Sequence, residues 1–289
     1  MRNLQYLVRR NLDLFLNNKL NILLSAASIP IIIGLYVFFL RDFLISMVGQ
    51  IGLPLGLNKE FTDRMMFAGL LVVMNTTTCF GIMQICVNDT ATGIRKDFLV
   101  APITRFSILL GYWISAILVS GFFTYATMLV GEFFFYRMYG KTLSVFTMLY
   151  LFLTGLCASG INSGILLCLA KNLKNTTTFS TFANLYGTVL GFLSGSYLPY
   201  YFYPKWLKPI LFWFPPMQIT SILRQWYIKE IKGRMICNST EALMAEMLQN
   251  FGIRLQWDHK LIVLNQQWAI LILSLAVLLF YLYLVCNKR

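Results

Sequence analysis

Residues 107–134 form a stretch of 28 positions with a single charged side chain, Glu132. A helix rises about 1.5 Å per residue, so a run of this length exceeds the roughly 30 Å hydrocarbon layer of a bilayer. Six apolar segments of this kind occur, at about 20–40, 65–87, 107–134, 144–170, 179–198 and 266–286. They are far longer than the roughly ten-residue alternating strands of an outer-membrane barrel. The expectation is therefore an all-α, polytopic helical bundle with six transmembrane helices, forming one transmembrane domain over residues 1–289.

Composition agrees. Of the 289 residues, 58% are hydrophobic and 12% charged, and the mean hydropathy is +0.67. Soluble domains average about 25% charged residues, so a water-soluble enzyme is excluded. The net charge of +13 reads as topology setting and attraction to anionic headgroups. No basic stripe lies on a soluble domain, so no nucleic-acid partner is expected. The single histidine, His259, and the spacing of six cysteines make neither a metal site nor a disulfide framework. Arg9, Arg10 and Lys19 precede a first apolar run of about 20 residues with no small-residue cleavage site, so that run is expected to stay as a span.

Residues 2–18 repeat Leu4, Leu7, Val8, Leu12, Phe15 and Leu16 at helical spacing, with Arg2, Gln5, Arg9 and Asp13 on another face. This pattern predicts an amphipathic helix, over about 1–19, lying in the membrane interface. With the N-terminus inside, the inner segments 1–19, 88–106, 171–178 and 287–289 carry eleven Lys and Arg, and the short outer loops 41–64 and 135–143 carry five. The long loop 199–265 carries eight more, but long loops cross with little regard to charge. Both termini are thus expected on the cytoplasmic side of a cytoplasmic membrane, with 199–265 outside. Within that loop, 206–220 is short, apolar and interrupted by Pro209, Pro215 and Pro216, which suits a re-entrant or interfacial hairpin. Residues from about Ser221 to Lys260 read as one or two amphipathic helices of a small outer cap. Asn238-Ser239-Thr240 is a glycosylation sequon.

Among ionisable residues, only Glu132 falls inside a span by this reading, near its outer end, where facing water would suffice to explain it. Uncharged polar residues are more frequent. Asn75, Thr76, Thr77 and Thr78 lie in the second segment, Asn162 and Ser163 in the fourth, and Thr181, Asn184 and Thr188 in the fifth. Two roles stand open for them: lining a substrate path, with Asn75, Thr76, Thr78, Asn162, Thr181 and Asn184 as candidates, or hydrogen bonding between helices. Gly160 and Gly164, and Gly187, Gly191 and Gly195, recur every four residues, a spacing that lets helix backbones approach closely, within one bundle or across a dimer seam. No nucleophile–base pair and no G-x-x-x-x-G-K-[ST] phosphate loop is present, so any ATP-derived work must come from a partner.

The inner segment 88–106 is charged, then apolar, then broken by a proline. A short helix from Thr90 to about Leu99 is expected along the inner face, exposing Asp89, Arg95, Lys96 and Asp97 beside apolar Ile94, Phe98 and Leu99. Pro102 ends it, and Thr104 or Ser107 caps the next span. In this segment Asp89, Gly93, Asp97, Leu99, Pro102, Arg105, Ile108, Leu109 and Gly111 fit the coupling-helix pattern of type-2 ABC exporter permeases, although Tyr112 replaces the usual lysine and Asn88-Asp89-Thr90 departs from the frequent Glu-Arg-Glu. Leu193 to Pro199, then Pro204-Lys205-Trp206-Leu207, then Phe214-Pro215-Pro216, resemble the family's run between the fifth and sixth spans.

The resemblance implies a permease subunit, not an enzyme, that pairs with a second copy and with a separate ABC ATPase. It implies no cofactor in this chain, ATP and Mg being held by the partner. Asp89, Gly93, Ile94, Arg95, Asp97, Phe98, Leu99, Pro102 and Arg105 would then receive the ATPase's motion. The family exports drugs, antimicrobial peptides, lipids and polysaccharides, and the scarcity of charge in the spans favours a hydrophobic or amphipathic cargo such as a drug, antibiotic or antimicrobial peptide, moved outward by alternating access. Lipid or polysaccharide export is the alternative within the family, and a non-transporting membrane enzyme or assembly factor the alternative outside it.

Overall fold

The computed structural model describes all residues except 1, 20–21, 24–26, 28–29, 32, 35, 50–53, 101–102, 237–240, 258–259 and 288–289. The first expected span, 20–40, lies partly outside the described residues. Its end, Tyr36–Leu40, is a π-helical turn that continues into the helix Arg41–Gly49, where a loop is expected from sequence.

Among the described residues the regular structure is helical apart from one antiparallel two-residue ladder, Gln256–Trp257 with Lys260–Leu261. The helices are α1 (Arg2–Asn17), α2 (Arg41–Gly49), α3 (Leu55–Ala91), α4 (Ile94–Val100), α5 (Arg105–Tyr139), α6 (Val145–Ala170), α7 (Thr176–Leu193), α8 (Lys208–Trp213), α9 (Pro215–Ile236), α10 (Glu241–Asn250) and α11 (Leu264–Asn287). Among the described residues four are long and apolar enough to cross a membrane: α3, α5, α6 and Leu264–Leu284 of α11. α7 is helical where a fifth span is expected, but it stops at Leu193, not 198. Its five threonines, with Ser180 and Asn184, keep it below that apolar threshold.

Local chemistry sets most helix ends. Thr104 caps α5 by accepting from the Ser107 N–H at 3.2 Å, as sequence predicts, and Ser144 and Asn175 do the same for α6 and α7. Gly140 closes α5 at φ +67°, in the left-handed region glycine enters without strain. Gly195, at φ +72°, turns the chain back after α7.

α3 is the axis of the bundle. It contacts α1, α2, α4, α5, α6, α7 and α9, and Phe61 through Val87 is largely buried. It begins ten residues earlier than the expected 65 and so carries Glu60, Asp63 and Arg64 inside the fold. α8 and α9 replace the expected hairpin at 206–220. They break at Phe214 because Pro215 and Pro216 lack the N–H that would continue the helix. α9 then runs through the expected Ser221 boundary and packs on α3, α6 and α11, with Met217, Ile219, Ile222, Leu223 and Tyr227 buried. It is a bundle element, not cap. Among the described residues, α10 and the ladder complete the stretch expected as a cap, with Met244, Met247, Leu248 and Phe251 packed against α2, α3 and α9 residues such as Leu44, Phe61 and Ile228. The sequon at 238–240 lies outside the described residues.

α1 is amphipathic as predicted. One stripe, Leu7, Asn11 and Phe15, is buried against the C-terminal part of α3 and the N-terminal part of α5, and Phe15 meets Phe123 edge-on at 6.4 Å.

Candidate functional site

Three groups of polar residues punctuate the bundle. At the end that carries α1 and α4, the carboxylate of Asp89 is 1% exposed. It takes two hydrogen bonds from Arg10, Nη1 to Oδ2 at 2.5 Å and Nη2 to Oδ1 at 2.9 Å, and a third from the Tyr112 hydroxyl. Arg10 also lies over the Phe98 ring at 5.1 Å. Asp89 therefore ties α1, α3 and α5 together, and Arg10 extends the tie to α4. The hydrogen bonds to Asp89 push the Arg10 guanidinium above its ordinary value, against the opposing effect of burial. This corrects the sequence reading of Asp89 as an exposed residue of the inner helix: it belongs to the last turns of α3.

α4 itself starts at Ile94, after Gly93 in the left-handed region at φ +84°, rather than at Thr90. Arg95 donates to the Lys171 carbonyl at 3.2 Å, fixing α4 to the end of α6. Ile94 and Phe98 are half-buried and Phe98 packs on the inner core, whereas Lys96, Asp97, Val100 and Arg105 face outward. The side chain of Leu99 and the whole of Pro102 lie outside what is described. α4 is thus a short rod, held at three points, with a charged outer face.

In the middle of the bundle, Asn75 donates to Thr124 at 2.9 Å and to Ser159 at 2.7 Å, and Asn162 donates to Asn75 at 3.1 Å. Thr76 and Thr78 return their hydroxyls to carbonyls of their own helix. All are buried, so Asn75 and Asn162 knit α3, α5 and α6 together. Thr181 and Asn184 lie elsewhere. With Thr177 and Thr188 they form an exposed polar stripe along α7, at intervals of four, three and four residues.

The glycine faces pack against side chains of the same chain. A Cβ on Gly160 would meet Leu275 at 3.4 Å, and one on Gly164 would meet Leu278 at 3.1 Å and Trp113 at 3.3 Å, which seats α11 and α5 on α6. Gly187 faces Phe80 of α3, and a Cβ on Gly191 would fall 2.1 Å from the Tyr197 ring.

The opposite end holds a charge network that sequence reasoning missed. Glu60 pairs with Arg64 at 3.3 Å and Arg234 at 3.0 Å, and Arg64 reaches Glu132 at 3.7 Å and lies over the Phe135 ring. Asp63 accepts from Arg41 at 2.9 and 3.0 Å and from the hydroxyls of Tyr36 and Tyr139. Arg224, 1% exposed, donates to the carbonyls of Met65, Gly195 and Phe251 at 2.6–3.2 Å. Glu132 is thus neither the sole ionisable group within the spans nor water-facing. The i, i+4 spacing of Glu60 and Arg64 was the one signal in the sequence for this arrangement. Among the described residues no cluster of three or more His, Cys, Asp or Glu suited to a metal ion occurs.

The described fold is thus a multi-helix bundle with four helices able to cross a membrane and a short, charged helix held across one end. Residues 2–227 match the family model of ABC-2 type transporters, and the chain belongs to that family. Members are the membrane subunits of ABC transporters, which move cargo and do not themselves carry out catalysis. No curated protein matches the chain.

Proposed function

We propose that this chain is the permease half of an ATP-driven exporter. In this reading two copies form the pathway and two separate ATPase subunits dock beneath them, with both termini, α1 and α4 on the cytoplasmic side of the cytoplasmic membrane. Six segments cross it, 20–40 and α7 completing the four long apolar helices, and the whole chain acts as one transmembrane domain.

The observation that carries the proposal is the mounting of α4. Its inner side is locked by Phe98 and Arg95 and, through Arg10, by the buried Asp89, while Lys96 and Asp97 remain free to meet a soluble partner. A lever fixed to α1, α3 and the end of α6 passes on an applied force that a loose loop would absorb. ATP would shift the permease between states only by binding better to one of them. The exposed stripe Thr177, Thr181, Asn184 and Thr188 of α7 supports a pathway between the two copies chiefly through Asn184, since an amide facing lipid is disfavoured, whereas Thr181 and Thr188 return their hydroxyls to carbonyls of their own helix. The absence of free charge along that stripe favours a hydrophobic or amphipathic cargo, such as a drug, antibiotic or antimicrobial peptide.

The test is to purify the tagged permease from its native membrane. Recovery of an ATP-hydrolysing subunit, with hydrolysis stimulated by amphipathic compounds, supports the reading. Recovery of the permease without any ATPase argues for a non-transporting role.

A further inference from the structure

At the end of the bundle remote from α4, a cavity of about 490 Å³ opens between α5 and α6. This is within the usual size range for small-molecule sites. Its mouth is apolar and outward-facing, formed by Tyr125, Leu129, Leu149 and Phe152, on helices long enough to cross a membrane. A hydrophobic molecule can enter through it. Its lining also includes two buried polar side chains, Glu132, 5% exposed, and Tyr227, 0% exposed.

Both are incompletely satisfied. The Glu132 Oε2 atom accepts from the Leu143 N–H at 3.2 Å, but among the described residues Oε1 has no hydrogen-bond partner, and Arg64 Nη1 stands off at 3.7 Å. The Tyr227 hydroxyl has none either, although it interacts electrostatically with both Glu132 and Arg64. Buried polar atoms in native proteins are almost always bonded, because leaving one bare costs free energy. Here a carboxylate oxygen and a phenol line one apolar cavity. Arg64 is shared between Glu60 at 3.3 Å and Glu132 at 3.7 Å, with Arg234 the second cation on Glu60, and among the described residues its Nε and Nη1 also lack a hydrogen-bond partner.

We infer that this cavity is a membrane-accessible binding site for a hydrophobic amine, whose ammonium donates to Glu132 Oε1 and to the Tyr227 hydroxyl while its apolar body fills the mouth. The Glu132 carboxylate oxygen and the Tyr227 hydroxyl, both without a described hydrogen-bond donor, select a ligand that donates, and the apolar entrance selects its body. The site is distinct from the α7 stripe, and its occupancy does not depend on the transport reading, since binding is measured without an ATPase.

The experiment uses the full chain in phosphatidylcholine nanodiscs with a diazirine-bearing octylamine, cross-links being mapped by mass spectrometry and competed with plain octylamine. Labelling concentrated on the α5–α6 mouth is expected. Loss of one charge-assisted hydrogen bond weakens binding about tenfold, so Glu132→Gln and Tyr227→Phe should each raise the competing concentration about tenfold. Tyr227→Phe removes a hydroxyl with no described partner, so it tests the site even if Glu132→Gln fails to fold. Leu149→Trp, which fills the mouth from an exposed position, should abolish the label. An octyl methyl ether probe, which cannot donate, should not label the mouth. A second set of nanodiscs containing phosphatidylethanolamine separates the sources of the amine: competition by that lipid assigns the site to a headgroup amine, and its failure assigns it to a small molecule. Equal labelling by amine and ether, or labelling unchanged in Tyr227→Phe and Leu149→Trp, overturns the inference.

Discussion

Replacing Arg10 by Met leaves Asp89, 1% exposed, with a full charge and only the Tyr112 hydroxyl to answer it. Removing one member of a buried pair costs about 3–5 kcal/mol. The Arg10 side chain is 29% exposed, and solvent screening of that half lowers the expectation to about 2 kcal/mol. Asp89→Asn removes the charge and keeps an acceptor, so Arg10→Met should cost much less in that background. The double-mutant cycle should then return a coupling of about 1–2 kcal/mol. Because α1 is joined to the bundle through Leu7, Asn11, Phe15 and this pair, the loss should appear as local opening. Amide hydrogen exchange in α1 should accelerate about thirtyfold in Arg10→Met, following the factor of ten for every 1.4 kcal/mol, while amides around Asn75 and Ser159 stay protected. Exchange in α1 within about threefold of wild type, or additivity of the two substitutions within about 0.5 kcal/mol, would refute the idea that Asp89 clamps α1.

Three further outcomes are expected. Asn75→Ala removes three hydrogen bonds between helices, worth about 0.6 kcal/mol each in membranes, and should lower stability in detergent by about 1–2 kcal/mol; an unchanged unfolding midpoint contradicts the network. Gly191→Leu drives a side chain into the Tyr197 ring and should cost about 1–3 kcal/mol, restored in part when Tyr197 is also made Ala; if the defect is in copy–copy association instead, with monomer stability intact, the glycine face lies at a seam. A single cysteine placed at Asn238 should react with an impermeant thiol reagent from outside and one at Lys174 should not, the reverse pattern inverting the topology.

What could be read from sequence was what local chemistry determines. The Thr104 cap, the amphipathic α1, and the apolar cores of α3, α5, α6 and α11 all rest on neighbours within a few positions. What escaped was what depends on distant partners. Glu60, Asp63 and Arg64 look like loop residues because hydropathy counts each charge alone, yet Arg41, Glu132, Tyr139 and Arg234 neutralise or bond them within the fold. Asp89 was picked out through a family pattern but placed on the surface, because nothing near it in sequence announces Arg10, 79 positions away. Residues 221–236 of α9 read from sequence as part of an amphipathic outer cap over about 221–260. In the structure Ser221 donates to the Ile253 carbonyl, Arg224 holds three carbonyls and Gln225 bonds Gln267, so a polar helix sits buried in the bundle.

The central claim is that α4 is the surface through which an ATPase drives this permease. Asp97 is exposed on α4, so Asp97→Arg should change the permease's own stability by less than about 0.5 kcal/mol. The decisive measurement is ATPase co-purification and cargo-stimulated hydrolysis for Asp97→Arg, with membrane expression matched to wild type. The account predicts normal insertion with ATPase capture or stimulation reduced at least about tenfold, the scale of removing one charged contact at an interface. Wild-type capture and stimulation at equal expression would contradict it.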